Sequence, residues 1–390
     1  MPKIACCVAE LSGDLLAAET LQTLKTQIPD LSLRGVTGPH LRAIGCETLA
    51  DAESLSVSGI TEAVLHVPRL WKLRQRLVRE ILMWKPDCFL GVDAPDFNLG
   101  LERKLREAGV PTFHYVSPTV WAWRPRRVKQ VDRAVDGLFC LFPFEPAYYS
   151  NTSVRALFVG HPLADRLYPA RDIREARRVL ALNPDQTTVA LVPGSRRHEL
   201  DHMAGLIFEA ARQLSEKNRS LQFVVPIAYP ELRNVLVSLW EKTGNNLPVL
   251  WLDRQAPQAM QASDVALVAS GTVTLEGMLV GCPMVVAYRF SAISVAIAKG
   301  ILGLRVSWAS FPNLLADEAL VPEFLQNEAK PPVLAHAVQD LLDHPDRCQA
   351  LRARYSELAG MLRCGSNRTV AAELAAAMGG ASPGPNSNGR

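Results

Sequence analysis

Apolar residues along the chain fall into short unbroken runs, separated by longer stretches where they recur every three or four positions. KIACCVA near the start is one such run. It leads through Glu10, Ser12, Gly13 and Asp14 into Leu15, Leu21 and Leu24 at helical spacing. That pattern predicts strand, glycine turn and helix. The alternation repeats with a strand near Leu33–Val36, a helix over Glu62–Trp84, the strand CFLGV, a helix over Leu99–Ala108 and the strand PTFHYV. Strands apolar on both faces need cover on both, so the pattern predicts a parallel sheet between helical layers.

A second set follows the strand RALFVG and the proline-rich, mixed-charge stretch PLADRLYPARD after His161, where the linker is placed. It runs as strand TVALV, helix His198–Leu214, strand LQFVV, helix Glu231–Lys242, strands LPVLW and VALVA, helix Val273–Leu279 and strand PMVVAY. The predicted class is α/β, with two Rossmann-like, doubly wound parallel-sheet domains facing across a cleft. The expected boundaries are 1–165 and 166–340. Two helical patterns over 341–378 are expected to pack back on the first domain or on a partner subunit, and 379–390 has the composition of a disordered tail.

At 390 residues, 48% hydrophobic and 21% charged, the chain has room for two cores. No uncharged apolar stretch is long enough to cross a bilayer. The start, MPKIACCVAEL, meets Glu10 too soon for a secretory apolar region, so a cytoplasmic location is expected. A net charge of +3 argues against a nucleic-acid partner. The eight cysteines show no zinc-type spacing and read as small buried hydrophobes in a reducing compartment.

Open parallel sheets bind ligands beyond the carboxyl ends of their strands, so the residues following strands carry the candidate chemistry. After TVALV comes PGSRRHEL, in which Gly194, Ser195 and Arg196 suit a diphosphate; a plain strand-to-helix turn would read the same way. After VALVA comes SGTVTLEG. Ser270, Gly271 and Thr272 open a helix whose positive end favours an anion. Glu276 in its second turn can accept ribose hydroxyls, or be an ordinary helix glutamate. In the first half, GVDAPDFN sets Asp93 and Asp96 after a strand, where a carboxylate can act as general base or form a turn. Trp121 and Trp123, followed by Arg124, Arg126, Arg127 and Lys129, suit sugar rings and phosphates as well as a core and a solvated helix face. Dinucleotide, P-loop and zinc-protease motifs are missing, as is an Asp-x-Asp pair after a strand. The expectation is therefore a reaction without metal or cofactor.

Between Arg69 and Arg79 there are five basic residues and no acidic one, beside Leu70, Leu73, Leu77, Ile81 and Trp84 at helical spacing. With Leu65, Val67, Trp71 and Val78 off that stripe, the helix reads as a membrane-surface element. Its expected contacts are Leu65, Val67, Arg69, Leu70, Trp71, Lys72 and Arg76.

The strings AELSGD, GVDAPDFN, HYVSPTVWAWR, PGSRRHEL, ASGTVTLE, CPMVVAYR and FPNLLADEALVPEFLQ occur in this order from the first strand onward. In them the chain closely resembles the lipid-A-disaccharide synthase family. The resemblance implies a GT-B architecture and a metal-independent, inverting transfer of a hexosyl group in lipid A biosynthesis. The donor would be UDP-2,3-diacylglucosamine and the acceptor 2,3-diacylglucosamine 1-phosphate, giving a β-1,6 disaccharide and UDP. It further implies peripheral attachment to the cytoplasmic face of the inner membrane, and a homodimer. Asp93 resembles the family's catalytic aspartate, and Arg196, Glu276 and Asn313 its donor-nucleotide contacts. Glu10, Ser12, Gly13 and Asp14 resemble the cleft lining, with Asp96 and His114 expected beside them. Leu11 departs from the small hydroxyl residue usual there. Two other readings fit the same pattern: a UDP-N-acetylglucosamine 2-epimerase-like enzyme, and a non-catalytic membrane-surface protein that binds a nucleotide sugar.

Overall fold

A computed structural model describes residues 1–55, 60–121, 125–170, 172–217, 220–243, 248–289 and 308–379, the side chains of 60–67, 125 and 198 excepted. Leu65 and Val67 as contacts, Trp123, Arg124 and the tail beyond 379 lie outside the described residues. The chain divides into two compact units, 1–165 with 362–390, and 166–361.

The first unit holds a seven-stranded parallel sheet: β1 (Lys3–Cys7), β2 (Ser32–Thr37), β3 (Glu47–Asp51), β4 (Cys88–Val92), β5 (Thr112–Tyr115), β6 (Gly137–Cys140) and β7 (Arg155–Phe158). Their order is β3-β2-β1-β4-β5-β6-β7. The apolar runs fill its centre, where Ile4 to Cys7 and Cys88 to Leu90 are fully buried. Leu77 and Ile81 of the helix Ile60–Trp84 and Leu101 and Leu105 of the helix Pro95–Glu107 share one core with Ala5, Cys7 and Phe89.

The second unit holds β8 (Thr188–Val192), β9 (Gln222–Ile227), β10 (Val249–Asp253), β11 (Val265–Ala269), β12 (Met284–Tyr288) and β13 (Glu323–Leu325), again all parallel. Their order is β10-β9-β8-β11-β12-β13. Phe208, Phe223, Trp240 and Trp251 meet edge to face under this sheet.

The edge strands β3 and β13, and the short β6, have no counterpart in the sequence reading, nor has the helix Ala256–Gln261 between β10 and β11. Edge strands face solvent on part of their surface, so ETLAD lacks the apolar run that marks a central strand. Helices also begin earlier than the apolar spacing suggests. Leu11–Gln27 takes in Ser12, Gly13 and Asp14, and Pro95–Glu107 takes in Asp96, with proline at its first position.

The helix Pro345–Leu362 falls almost wholly in the second unit, and the chain then returns to the first. There the helix Ser366–Met378 is held to Leu11–Gln27 by Thr20 donating to Asn367 at 3.0 Å, and to β7 by Arg155 donating to Glu373 at 2.5 Å and 3.0 Å. Seven cysteines are buried and Cys364 is exposed. No helix among the described residues is long and apolar enough to cross a membrane.

Candidate functional site

A doubly wound sheet reverses its strand order at one point, and the crevice beyond those two strands is where a ligand fits. In the first unit the reversal lies between β1 and β4, and in the second between β8 and β11. The residues singled out from sequence follow these four strands. Glu10, Ser12 and Gly13 follow β1, Asp93 follows β4, Gly194 to Arg196 follow β8, and Ser270 to Thr272 follow β11.

Asp93 and Ala94 both take left-handed backbone conformations, with φ of 53° and 44°. Such a pair is strained by about 1–3 kcal/mol per residue and needs support. The Asp93 amide donates to the Tyr115 carbonyl on β5 at 2.9 Å. From within the helix, the buried Asn98 amide donates to the carbonyls of Asp93 at 2.8 Å, Val92 at 3.3 Å and Cys7 at 3.3 Å. One side chain thus ties the ends of β1 and β4 together beneath the turn. Among the described residues the half-buried Asp93 carboxylate accepts no hydrogen bond.

The other expected lining residues divide. Glu10 and Ser12 are exposed at the same end of the sheet, while Gly13 is buried against Val92. Asp14 differs from the expectation. It is fully buried and accepts from the amides of Gly38, His40 and Leu41 at 2.8, 2.7 and 3.2 Å, capping the short helix Pro39–Ala43. Asp96 is engaged by Arg127, and Arg74 donates to its carbonyl at 3.2 Å. His114 is also a correction. It is fully buried inside the sheet layer, with Nδ1 2.6 Å from Oε1 of the equally buried Glu102. Burial raises the Glu102 carboxyl, and the carboxylates of Glu102 and Asp93 raise His114 against burial. Gly91 lies opposite His114 in the ladder, and a Cβ there would come within 1.9 Å of Glu102 Oε1. The glycine of GVDAPDFN therefore makes room for this pair. Glu102 was not singled out from sequence, although Asn98, Leu101, Glu102 and Leu105 share one helical stripe; a carboxylate among core leucines is the signal.

In the second unit the two helix starts differ. At Arg197–Lys217 the Glu199 carboxylate reaches back to the amides of Ser195 and Arg196 at 3.1 and 3.2 Å, closing that end as a capping box does. Gly194 (φ 122°) makes this approach possible, because a Cβ would meet Glu199 at 2.9 Å. The group left facing solvent is the Arg196 guanidinium, 71% exposed and 3.5 Å from Glu199. At Thr272–Leu279 no side chain among the described residues caps the start, and Gly271 (φ 148°) and Thr272 are exposed. Its free amides are the better anion site. Glu276, half-buried one turn on, is pushed up to about 7 by burial.

Ser270 is not free for a ligand, since its hydroxyl donates to the Ala309 carbonyl. Asn313 is 1% exposed, and both ends of its amide are bonded. Nδ2 donates to Val321 O at 3.0 Å and Glu323 Oε1 at 2.8 Å, and Oδ1 accepts from Val321 N at 2.7 Å. Glu323, missed from sequence, also accepts from the amides of Ala309 and Ser310. Phe311 N donates to Thr274 at 3.1 Å. Asn313 and Glu323 thus hold the 309–313 segment behind the Ser270–Thr274 turn.

On the helix Ile60–Trp84, Leu70, Leu73 and Val78 pack on the core, whereas Arg69, Trp71, Lys72 and Arg76 are exposed, Trp71 at 57%. Leu70 thus faces the protein core. Among the described residues no cluster of three or more His, Cys, Asp or Glu is placed to hold a metal ion.

The fold recurs in known proteins. A solved glycotransferase of kitacinnamycin superposes with a TM-score of 0.63 at 18% identity, over 96% of this chain and 99% of that one, which places the fold in the GT-B class. Curated relatives carry the likeness into sequence. The lipid-A-disaccharide synthase of Alkalilimnicola ehrlichii is 43% identical over 380 residues, 97% of this chain and 99% of its own length. That of Xanthomonas campestris pv. campestris (strain 8004) is 42% identical over 377 residues, 96% of this chain and 86% of its own length. The family model described as lipid-A-disaccharide synthetase matches residues 4–375, a span that runs from β1 into the last helix, and on that evidence the chain belongs to the lipid-A-disaccharide synthase family.

Proposed function

We propose that this glycosyltransferase moves 2,3-diacylglucosamine from its UDP conjugate to 2,3-diacylglucosamine 1-phosphate, with inversion and without a metal. The observation that carries the reading is the coincidence of candidate residues with switch points. The Asp93 carboxylate, unbonded among the described residues, follows β4, and an open helix start and an exposed arginine follow the adjacent strands β11 and β8. Asp93 takes the proton of the acceptor's 6-hydroxyl as that oxygen attacks the anomeric carbon of the donor. UDP leaves from the opposite face, its growing charge met by the amides at Gly271–Val273 and by Arg196. Incubation of the protein with both diacylated sugars in EDTA is expected to release UDP and form disaccharide in equal amounts. UDP release without disaccharide, or an epimer of the donor, would sink the reading. Membership of the synthase family already sets the epimerase-like alternative aside.

Glu276 can accept from both ribose hydroxyls with both of its oxygens only when ionised, and burial pushes it up to about 7. KM for the UDP-sugar should therefore fall by about tenfold between about pH 6 and about pH 8, and Glu276→Gln should flatten that dependence. A wild-type KM that stays level across this window would remove Glu276 from the donor site.

Peripheral membrane contact through Arg69, Trp71, Lys72 and Arg76 belongs to the same proposal. It is supported by their exposure on one helix and by its excess of positive charge.

A further inference from the structure

Beside the Asp93 turn runs a groove of about 400 Å³ between the helices Pro95–Glu107 and Val128–Ala134. Pro95, Asp96 and Arg103 line it from the first helix, and Gln130 and Arg133 from the second. It begins two residues beyond Asp93, at the positive end of the longer helix. Its charges do not cancel. Asp96 is engaged by Arg127, whose own side chain is buried. Among the described residues Arg103 has only Glu107 as an ion-pair partner, 3.7 Å away and largely in solvent. Arg133 is exposed and has no ion-pair partner among the described residues. Arg74 adds a further guanidinium, half-buried and donating to the Asp96 carbonyl. Burial, with the like charge of Arg103 adding to it, draws Arg74 below the ordinary arginine range. Several guanidinium groups around one neutralised carboxylate leave the groove with net positive charge, which favours an anion, and a phosphate has oxygens that match their forks.

We propose that this groove is the subsite for the phosphomonoester of the acceptor sugar, gripped by Arg103 and Arg133. The assignment rests on the proposed transfer, in which the acceptor lies at Asp93. A phosphate fixed here sets which acceptor hydroxyl faces the carboxylate, because the sugar is held at one end while the other reaches the base. The groove thereby also selects a phosphorylated acceptor over its dephosphorylated counterpart.

The test uses the full chain and the Arg103→Ala/Arg133→Ala variant, assayed in neutral detergent micelles free of phospholipid, with 2,3-diacylglucosamine 1-phosphate and with the same sugar lacking phosphate. The variant is expected to raise KM for the phosphorylated acceptor by at least about tenfold, as losing charge-assisted hydrogen bonds does. It should leave KM for the UDP-sugar within about threefold, and the preference for the phosphorylated sugar should collapse. Arg103→Lys/Arg133→Lys should recover part of it. A second arm measures binding to vesicles of phosphatidylglycerol and of phosphatidylcholine. Loss of binding to anionic vesicles with the micellar KM unchanged would assign the arginines to the lipid surface and overturn the proposal. An unchanged preference, or a defect in donor KM alone, would overturn it too. Absence of disaccharide from the wild-type protein would instead overturn the transfer reading and the subsite with it.

Discussion

Asp93→Asn is expected to lower kcat by roughly 10²–10⁴-fold, the range that removal of a general base costs, with KM for the UDP-sugar changed by less than about threefold. Asparagine is the replacement that isolates the chemistry. It matches aspartate in shape, and it tolerates the left-handed backbone that residue 93 adopts, which a β-branched residue would not. The amide cannot take up a proton, so the acceptor hydroxyl must lose its own to water. The loss should be large because the other acids and bases nearby are committed. Asp14 holds three backbone amides, Asp96 is engaged by Arg127, and His114 is buried against Glu102. Single-turnover release of UDP reads the chemical step directly. A loss of less than about tenfold would place the base elsewhere, with Glu10, exposed at the same end of the sheet, the next carboxylate to replace.

What the sequence makes legible follows from what each pattern encodes. Central parallel strands are apolar on both faces, so KIACC, CFLGV, TVALV and VALVA stand out, and the residues that follow them are the ones at the switch points. The order of the strands is what sets the turn after β4 beside the turn after β1, and the turn after β8 beside the turn after β11, and order is not written in any local run of residues. Side-chain direction is harder still. Asp14, Asp96, His114 and Asn313 sit in motifs that look functional, yet each is turned to a partner inside its own unit. Short polar side chains cap helices and brace turns as readily as they bind ligands, and nothing in their spacing separates the two uses. The supports themselves, Asn98, Glu102, Glu199 and Glu323, escape notice for a related reason. Asn98, Glu199 and Glu323 work through backbone groups and Glu102 through His114 on a neighbouring strand, and of the four only Glu199, an acidic residue in the first turn of its helix, sits where a sequence pattern points to such a role.

The largest stability effect is expected from one of these hidden supports. Glu102→Ala should destabilise the protein by about 3–5 kcal/mol, the cost of removing one partner from a fully buried ion pair. It leaves the His114 ring with no carboxylate at Nδ1 and opens a void beneath Gly91. Glu102→Gln keeps the shape and one hydrogen bond to a neutral ring, so its cost should be nearer about 1–2 kcal/mol. The pH dependence separates loss of charge pairing from loss of packing. In the wild-type protein both groups titrate higher than they do unfolded. The folded state therefore binds more protons: the His114 part of this stability is fully present below the ordinary imidazole range and the Glu102 part only below the ordinary carboxyl range, and each is lost as pH rises through its folded value. In Glu102→Ala the buried ring keeps its desolvation but loses the neighbour that raised it most, so it resists protonation. The gap between wild type and variant should be widest near about pH 5.5 and narrow toward about pH 8.5. Denaturant unfolding followed by circular dichroism at those two pH values measures it. A gap of constant size would mean that Glu102 fills space and does not hold His114 charged.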